Sequence, residues 1–149
     1  MLTLSLSLEA EIRSHGEETY PEECCGFILG REAGATREAL RLLRADNERT
    51  DSAGNRYLIS PEAYLEAERT VAREGLEILG FYHSHPDAPA RPSEFDRTHA
   101  LPGLSYVIVS VREGTARDLT SWVLSDDHER FEGETLLQDR EAAGEHHAR

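Results

Sequence analysis

Hydrophobic positions along this chain follow two periods, and the change from one to the other marks its elements. Leu2, Leu4, Leu6 and Leu8 recur at every second residue, the spacing of a short strand. Ser7 then offers an N-cap, with Glu9 and Glu11 in the first turn of a helix predicted to run to about Glu18. CCGFILG (24–30) is a compact apolar run closed by glycine, which predicts a buried strand. EALRLLRA (38–45) fits helix or strand by pattern alone; the loop chemistry of GATR before it and DNERTDSAGN after it favours a strand. YLIS leads into a helix with Ser60 as N-cap, Pro61 at its first position, Ala63, Ala67 and Val71 as an apolar stripe, and Gly75 as terminator. LEILGFYH (76–83) reads as a strand that delivers His83 and His85 at its end. Ser93 starts a short helix to about Leu101, and LSYVIVSV (104–111) and LTSWVL (119–124) are strands joined as a hairpin by REGTARD.

The elements add up to an α/β protein with a mixed central β-sheet flanked by helices, and 149 residues are one domain's worth. Residues 1–137 are expected to form that domain, and the last twelve, QDREAAGEHHAR (138–149), have no apolar periodicity and are expected to fray into solvent.

Composition narrows the function. The net charge of −13 makes nucleic acid and anionic membrane poor partners, since both repel an acidic surface. Cys24 and Cys25 are adjacent, so on an extended chain they point to opposite faces and are expected to be reduced thiols. The N-terminus has neither a basic stretch nor an adequate apolar run, so no secretory signal or anchor is expected and the cytoplasm is the natural location.

Chemistry concentrates in FYHSHPDAPARPSEFD (81–96). Residues two apart on an extended segment face the same way, so His83 and His85 present both imidazoles to one side. Ser93, three residues before Asp96, reads equally as a capping box at the start of a helix. The proline-rich linker between them stiffens the chain and holds that helix start beside the strand end, so that Asp96 can point back at the histidines. Two imidazoles and a carboxylate make three protein ligands, and zinc bound that way keeps a fourth position for water. Peptide hydrolysis at such a site also needs a carboxylate to move a proton to the leaving amine.

These residues resemble a known signature. PEECCGFILG followed by GFYHSHPDAPARPSEFD is similar to the motif of the JAMM (MPN+) metalloproteases: an acid, one residue, Cys-Gly, then His-x-His-Pro, with ten residues between the second His and an Asp, and Ser three before that Asp. The resemblance spans roughly residues 7–125. It implies a cytidine-deaminase-like MPN/JAMM fold, one Zn2+ per chain held by His83, His85 and Asp96, Glu23 as general acid/base, and Ser93 as hydrogen-bond donor to the oxyanion. Glu22 competes with Glu23, but the family's acid stands three before the glycine, which selects Glu23 by counting back from Gly26. The compact length resembles prokaryotic members that cut after the Gly-Gly tail of a ubiquitin-like or sulfur carrier protein, so a carrier of that kind is the expected partner.

Three other classes compete. A zinc deaminase needs a Pro-Cys-x-x-Cys segment that the chain lacks. Non-haem iron suits two histidines and a carboxylate but leaves the Glu23 segment and Ser93 unexplained. A non-catalytic MPN scaffold would lack ligands, whereas here every ligand position is filled. Of the remaining histidines, His99 falls three after Asp96 and is expected on an exposed helix position near the site; His15, His128, His146 and His147 read as surface or tail residues. Cys24 and Cys25 are expected to pack in the strand, because the acidic stretch before them offers no electropositive setting for a thiolate.

Overall fold

The computed structural model describes residues 1–47 and 58–138; residues 48–57 and 139–149, on which the expectations for DNERTDSAGN, the fraying C-terminus, His146 and His147 largely fall, lie outside the described residues. In chain order the elements are β1 (Leu2–Thr3), α1 (Leu6–Thr19), β2 (Cys25–Ala33), β3 (Thr36–Ala45), α2 (Pro61–Glu74), β4 (Glu77–Pro86), α3 (Glu94–Thr98), β5 (Ser105–Arg112), β6 (Thr115–Leu124), β7 (Phe131–Glu134) and β8 (Leu136–Leu137). The strands form one mixed sheet in the order β7-β6-β5-β4-β2-β3-β1-β8. β2 pairs antiparallel with both β3 and β4, and β4 runs parallel to β5.

Because side chains alternate across a strand, β2 and β4 each serve two cores. On one face Cys24, Ile28 and Tyr82 pack with Val107 and Val109 under Leu8 and Ile12 of α1. On the other, Cys25, Phe27, Leu29 and Phe81 pack with Tyr106 under Ala67 of α2. A helix therefore covers each face of the central strands. No helix among the described residues is long and apolar enough to cross a membrane.

Where local signals are strong, element and expectation coincide. Ser60 accepts a hydrogen bond from the Ala63 N–H, Pro61 opens α2, and Gly75 closes it in the left-handed region. Four details differ, each for a local reason. The helix N-cap near the start is Ser5, whose hydroxyl accepts from the Leu8 N–H, so β1 shrinks to two residues. Leu4 and Leu8 are buried while Leu6 is exposed, a helical spacing that the leucine alternation conceals. The β5–β6 connection is a two-residue turn at Glu113 and Gly114, both with positive φ, and most of the expected loop is strand. Helix α3 stops at Thr98, ahead of Pro102, which disfavours helical backbone at Leu101.

The fourth difference is β7 and β8, too short and too polar to show a period in the sequence. They occupy opposite edges of the sheet, yet Thr135 alone separates them. One residue spans only about 3.8 Å, so the sheet curls until its edges meet there. Glu134 fastens this seam by accepting hydrogen bonds from Ser105 and Ser121 at 2.7 and 2.8 Å. Gln138, the last described residue, donates to the Glu9 carboxylate of α1 at 3.2 Å.

Candidate metal centre

The register of β2 on β4 assembles the site. Cys25 lies opposite His83, and the Ser84 N–H donates to the Cys24 carbonyl at 3.2 Å, which carries Glu23, just before β2, alongside the end of β4. Period two then places His83 and His85 on the same face as Cys25 and Phe27. On the opposite face, the ring of Tyr82 lies where a side chain at Gly26 would be: a Cβ there would sit 2.4 Å from the ring. The glycine of the Cys-Gly pair thus lets β2 and β4 approach beside the site.

Three donor atoms converge. His83 Nε2 and His85 Nε2 are 3.1 Å apart, and Asp96 Oδ2 lies 3.3 Å from the first and 3.2 Å from the second. Zinc–nitrogen bonds of about 2.0–2.1 Å in a tetrahedron put ligand atoms roughly 3.3 Å apart, so the triangle has the dimensions of one face of a zinc site. Among the described residues, this trio is the group of His, Cys, Asp or Glu side chains placed to hold a metal ion.

The expected alternatives for Asp96 turn out to be one arrangement. Ser93 caps α3 by accepting from the Asp96 N–H at 3.0 Å, and Asp96 Oδ2 accepts from the Ser93 N–H at 2.8 Å while facing both imidazoles. The capping box is what aims the carboxylate. The linker is held as firmly: His85 Nδ1 bonds the Pro89 carbonyl at 2.9 Å, Ser110 donates to Ala88 O at 2.6 Å, and Thr120 donates to Ala90 O at 2.7 Å. The Pro89 bond leaves His85 Nε2 as the free lone pair toward the triangle.

Electrostatics suit a cation. Burial would raise the Asp96 carboxyl, but His83, His85 and the Ser93 N–H outweigh it and hold the group well below the usual carboxylate range. Burial pushes His83 down, which keeps its imidazole neutral as a metal ligand requires. Glu23 is 3 % exposed, and burial pushes its carboxyl up to about 8, with His85 opposing and Asp96 reinforcing. Its Oε1 has no hydrogen-bond partner among the described residues. A buried carboxylate oxygen left in that condition is costly unless something outside the protein's own groups takes it up. Glu22, by contrast, is exposed.

Two cavities flank the triangle. One of about 260 Å³ is lined by Glu23, His85, Pro89, Arg91 and Ser93, among others. The other, about 220 Å³, has Asp96 and His99 with an aromatic wall of Tyr64, Phe81, Phe95 and Tyr106. All five expected site residues thus come together, although 23 and 96 are far apart in sequence. His99 is exposed at the end of α3, stacked on Phe95 with its Nδ1 at 2.9 Å from the Phe95 carbonyl; its backbone N–H caps the helix by donating to the Asp96 carbonyl at 3.3 Å, while its ring turns to Phe95 and not to the Asp96 carboxylate. His128 is exposed as expected. His15 is not a surface residue: it is buried, with Nδ1 at 2.7 Å from the Tyr82 hydroxyl. It lies on α1 three residues after the buried Ile12, which itself follows Leu8 by four, a helical spacing that marks an inward position. Cys24 and Cys25 are buried thiols, not joined by a disulfide, and burial pushes the Cys24 thiol up to about 11, which fits packing and not nucleophilic attack. Arg91 and the Pro89 carbonyl carry no signal in the sequence, since neither residue type is distinctive in a loop.

Comparison with known proteins adds four relationships. Residues 5–125 match the family described as prokaryotic homologs of the JAB domain. Over 108 residues the chain is 37% identical to a probable TtuB-protein conjugate cleaving protease of Thermus thermophilus, covering 72% of this chain and 69% of that protein. Over 119 residues it is 32% identical to a desampylase of Haloferax volcanii, covering 74% and 84%. Among solved structures, a protein of Desulfitobacterium hafniense superposes with a TM-score of 0.80 at 29% identity, covering 93% of this chain and 92% of that one.

Proposed function

This chain belongs to the family of prokaryotic homologs of the JAB domain, and on that premise we propose that it is a zinc-dependent peptidase cleaving the amide bond after the C-terminal Gly-Gly of a ubiquitin-like or sulfur carrier protein. Membership bears out the family resemblance read from the motif and the mixed-sheet α/β fold it implied. In the proposal His83, His85 and Asp96 hold one zinc ion. When bound, zinc supplies Lewis acidity and lowers the pKa of water to about 7.

The chain's own residues do the rest. Glu23 takes a proton from the attacking water; the water oxygen bonds the carbonyl carbon, the C–N bond breaks, and Glu23 delivers its proton to the departing nitrogen. Glu23 lines the same cavity as His85 and Ser93, which puts its carboxylate within the site where both proton transfers take place. Ser93 Oγ already accepts from the Asp96 N–H, so its hydroxyl proton is available to the carbonyl oxygen as negative charge develops there. The observation that carries this reading is Glu23: a buried carboxylate with an unpartnered oxygen, in one cavity with His85 and Ser93. An iron-dependent role or a scaffold would give that oxygen no task.

The substrate class is supported by the names of the two relatives, one a protease of TtuB conjugates and one a desampylase. β4 is paired on both edges, by β2 and β5, so a substrate tail cannot add to it as a further strand. The test is incubation of zinc-loaded protein with a sulfur carrier extended by one residue beyond Gly-Gly, followed by intact mass. Loss of the extra residue, stopped by a chelator and restored by zinc, is expected. An unchanged mass at about one zinc per chain would overturn the proposal.

A further inference from the structure

We infer that Tyr20 is a positioning residue for Glu23: by bonding Asp87, its hydroxyl closes a circuit of chain that keeps the Glu23 carboxylate beside His85. The inference rests on the peptidase reading above and adds a residue on which the two proton transfers depend. Two short runs make the circuit, 20–24 between α1 and β2 and 84–87 at the end of β4. At one end the Cys24 N–H donates to Ser84 Oγ at 2.8 Å, and the Ser84 N–H returns to the Cys24 carbonyl at 3.2 Å. At the other end the Tyr20 hydroxyl donates to Asp87 Oδ2 at 2.5 Å. Glu23 lies on the first run and His85 on the second, so the proton carrier and a metal ligand share one closed path.

The Asp87 corner is fixed without Tyr20. Its N–H donates to the Val111 carbonyl at 2.7 Å, and its Oδ1 accepts from the Glu113 N–H at 2.8 Å, which ties it to the β5–β6 turn. Its φ of 53° lies in the left-handed region, which aspartate tolerates better than most side chains. One carboxylate oxygen therefore holds the turn while the other is presented to Tyr20. The metal-bearing strand keeps its place when Tyr20 loses its hydroxyl.

The Tyr20 corner is equally well placed. Its N–H caps α1 by donating to the Gly16 carbonyl at 3.2 Å, and its ring packs against the α1-face core, which aims the hydroxyl. From there the chain turns tightly toward Glu23. The Glu22 N–H donates to the Thr19 carbonyl at 2.9 Å, and the Thr19 hydroxyl donates to the Glu22 carbonyl at 3.1 Å. Support for Glu23 itself is thin: Asn47 reaches its carbonyl at 3.3 Å, and Oε1 of its carboxylate has no partner among the described residues.

A carboxylate held so lightly by its own atoms owes its position to the backbone beneath it. Tied at both ends, that backbone run is fixed; released at Tyr20, it pivots on the Cys24–Ser84 pair and carries the carboxylate with it. Proton transfer needs the two heavy atoms within about 2.6–3.2 Å, and a displacement of about 1 Å costs up to about 10²-fold in rate. His83, His85 and Asp96 lie outside the released run, so turnover is lost and metal is not.

The test compares variants of the zinc-loaded protein on the extended carrier. Tyr20→Phe is expected to lower kcat about 10-fold, with KM within about two-fold of wild type and zinc still at one per chain. Asp87→Asn, which still accepts from both partners and tolerates the backbone, should stay within about three-fold, whereas Asp87→Ala should fall at least as far as Tyr20→Phe. Glu17→Ala frees the Ala116 N–H and loosens α1 on β6 without opening the circuit, so it should cost stability and leave kcat unchanged. In a Glu23→Gln background, Tyr20→Phe should lower the residual turnover no further, because it acts through Glu23. In metal-free protein without substrate, Tyr20→Phe should quicken amide exchange at Glu22 and Cys24 about 10-fold while His83 and His85 keep wild-type protection. An unchanged kcat, a loss that tracks zinc content, a loss that multiplies with Glu23→Gln, or unchanged exchange would overturn the inference while leaving the peptidase standing. A wild type that does not cleave the carrier overturns both.

Discussion

β2 and β4 bury polar side chains on both of their faces, and the two faces treat them differently. On the α1 face the groups satisfy one another: His15 Nδ1 meets the Tyr82 hydroxyl at 2.7 Å, and Ser84 Oγ accepts from the Cys24 N–H at 2.8 Å. On the α2 face, one residue along each strand, Glu23 Oε1 has no partner among the described residues and three donor atoms crowd toward a common point. Burial shifts titration on both, taking His15 down to about 4, with Arg44 assisting, and Glu23 up to about 8. A displaced pKa therefore does not separate structure from chemistry here. Hydrogen-bonding capacity left over and turned into a cavity does.

The contrast is broken or sharpened most strongly at Glu23. Glu23→Gln is expected to lower turnover by about 10²- to 10⁴-fold while elemental analysis still finds one zinc per chain, because the change removes proton transfer and no ligand. Turnover within a few-fold of wild type would make the α2 face as inert as the other.

The next effect belongs to the α1 face and is one of stability. The folded-state value for His15 lies below its ordinary 6.5, so its stabilising contribution is complete above pH 6.5 and is lost as pH falls through about 4. At about 1.36 kcal/mol per unit, the span is on the order of 3 kcal/mol. Urea titrations of wild type and His15→Gln across that window should converge as the pH drops; a constant gap would show that His15 does not titrate as a buried neutral imidazole.

Gly26→Ala probes the seam between the faces. Its Cβ would lie 2.4 Å from the Tyr82 ring, so the ring or the strand must move, at about 1–3 kcal/mol. Denaturation should show that loss together with weaker zinc retention, since Tyr82 adjoins His83 in β4. An unchanged zinc affinity would mean that the two faces are mechanically independent. The smallest expected effect is from thiol alkylation. With both cysteines buried, and the Cys24 thiol pushed up to about 11, iodoacetamide should leave native mass and activity unaltered.

Much of the site was readable beforehand because its parts obey short-range rules. The two-residue spacing of His83 and His85 fixes a shared face on any strand, and the three-residue spacing of Ser93 and Asp96 fixes a capping box on any helix start. Helix α2 was readable for the same reason, from Ser60, Pro61 and Gly75. His15 was misplaced because a lone histidine on a weakly amphipathic helix carries no mark of its hydroxyl partner, 67 residues away. β7 and β8 escaped notice because they owe their existence to the strands they join and not to any pattern of their own.

The chain's local order, then, settled which residues are chemically equipped and which way each faces along its own element, since backbone period and capping act over a few residues. Tertiary structure decided their company. Only the pairing of Cys25 with His83 brings Glu23 beside His85, and only Ser110 and Thr120, reaching from β5 and β6, hold the proline-rich linker so that Asp96 and Arg91 take their places. Those partners are distant in sequence, and distance along a chain leaves no periodic trace of which strands will meet.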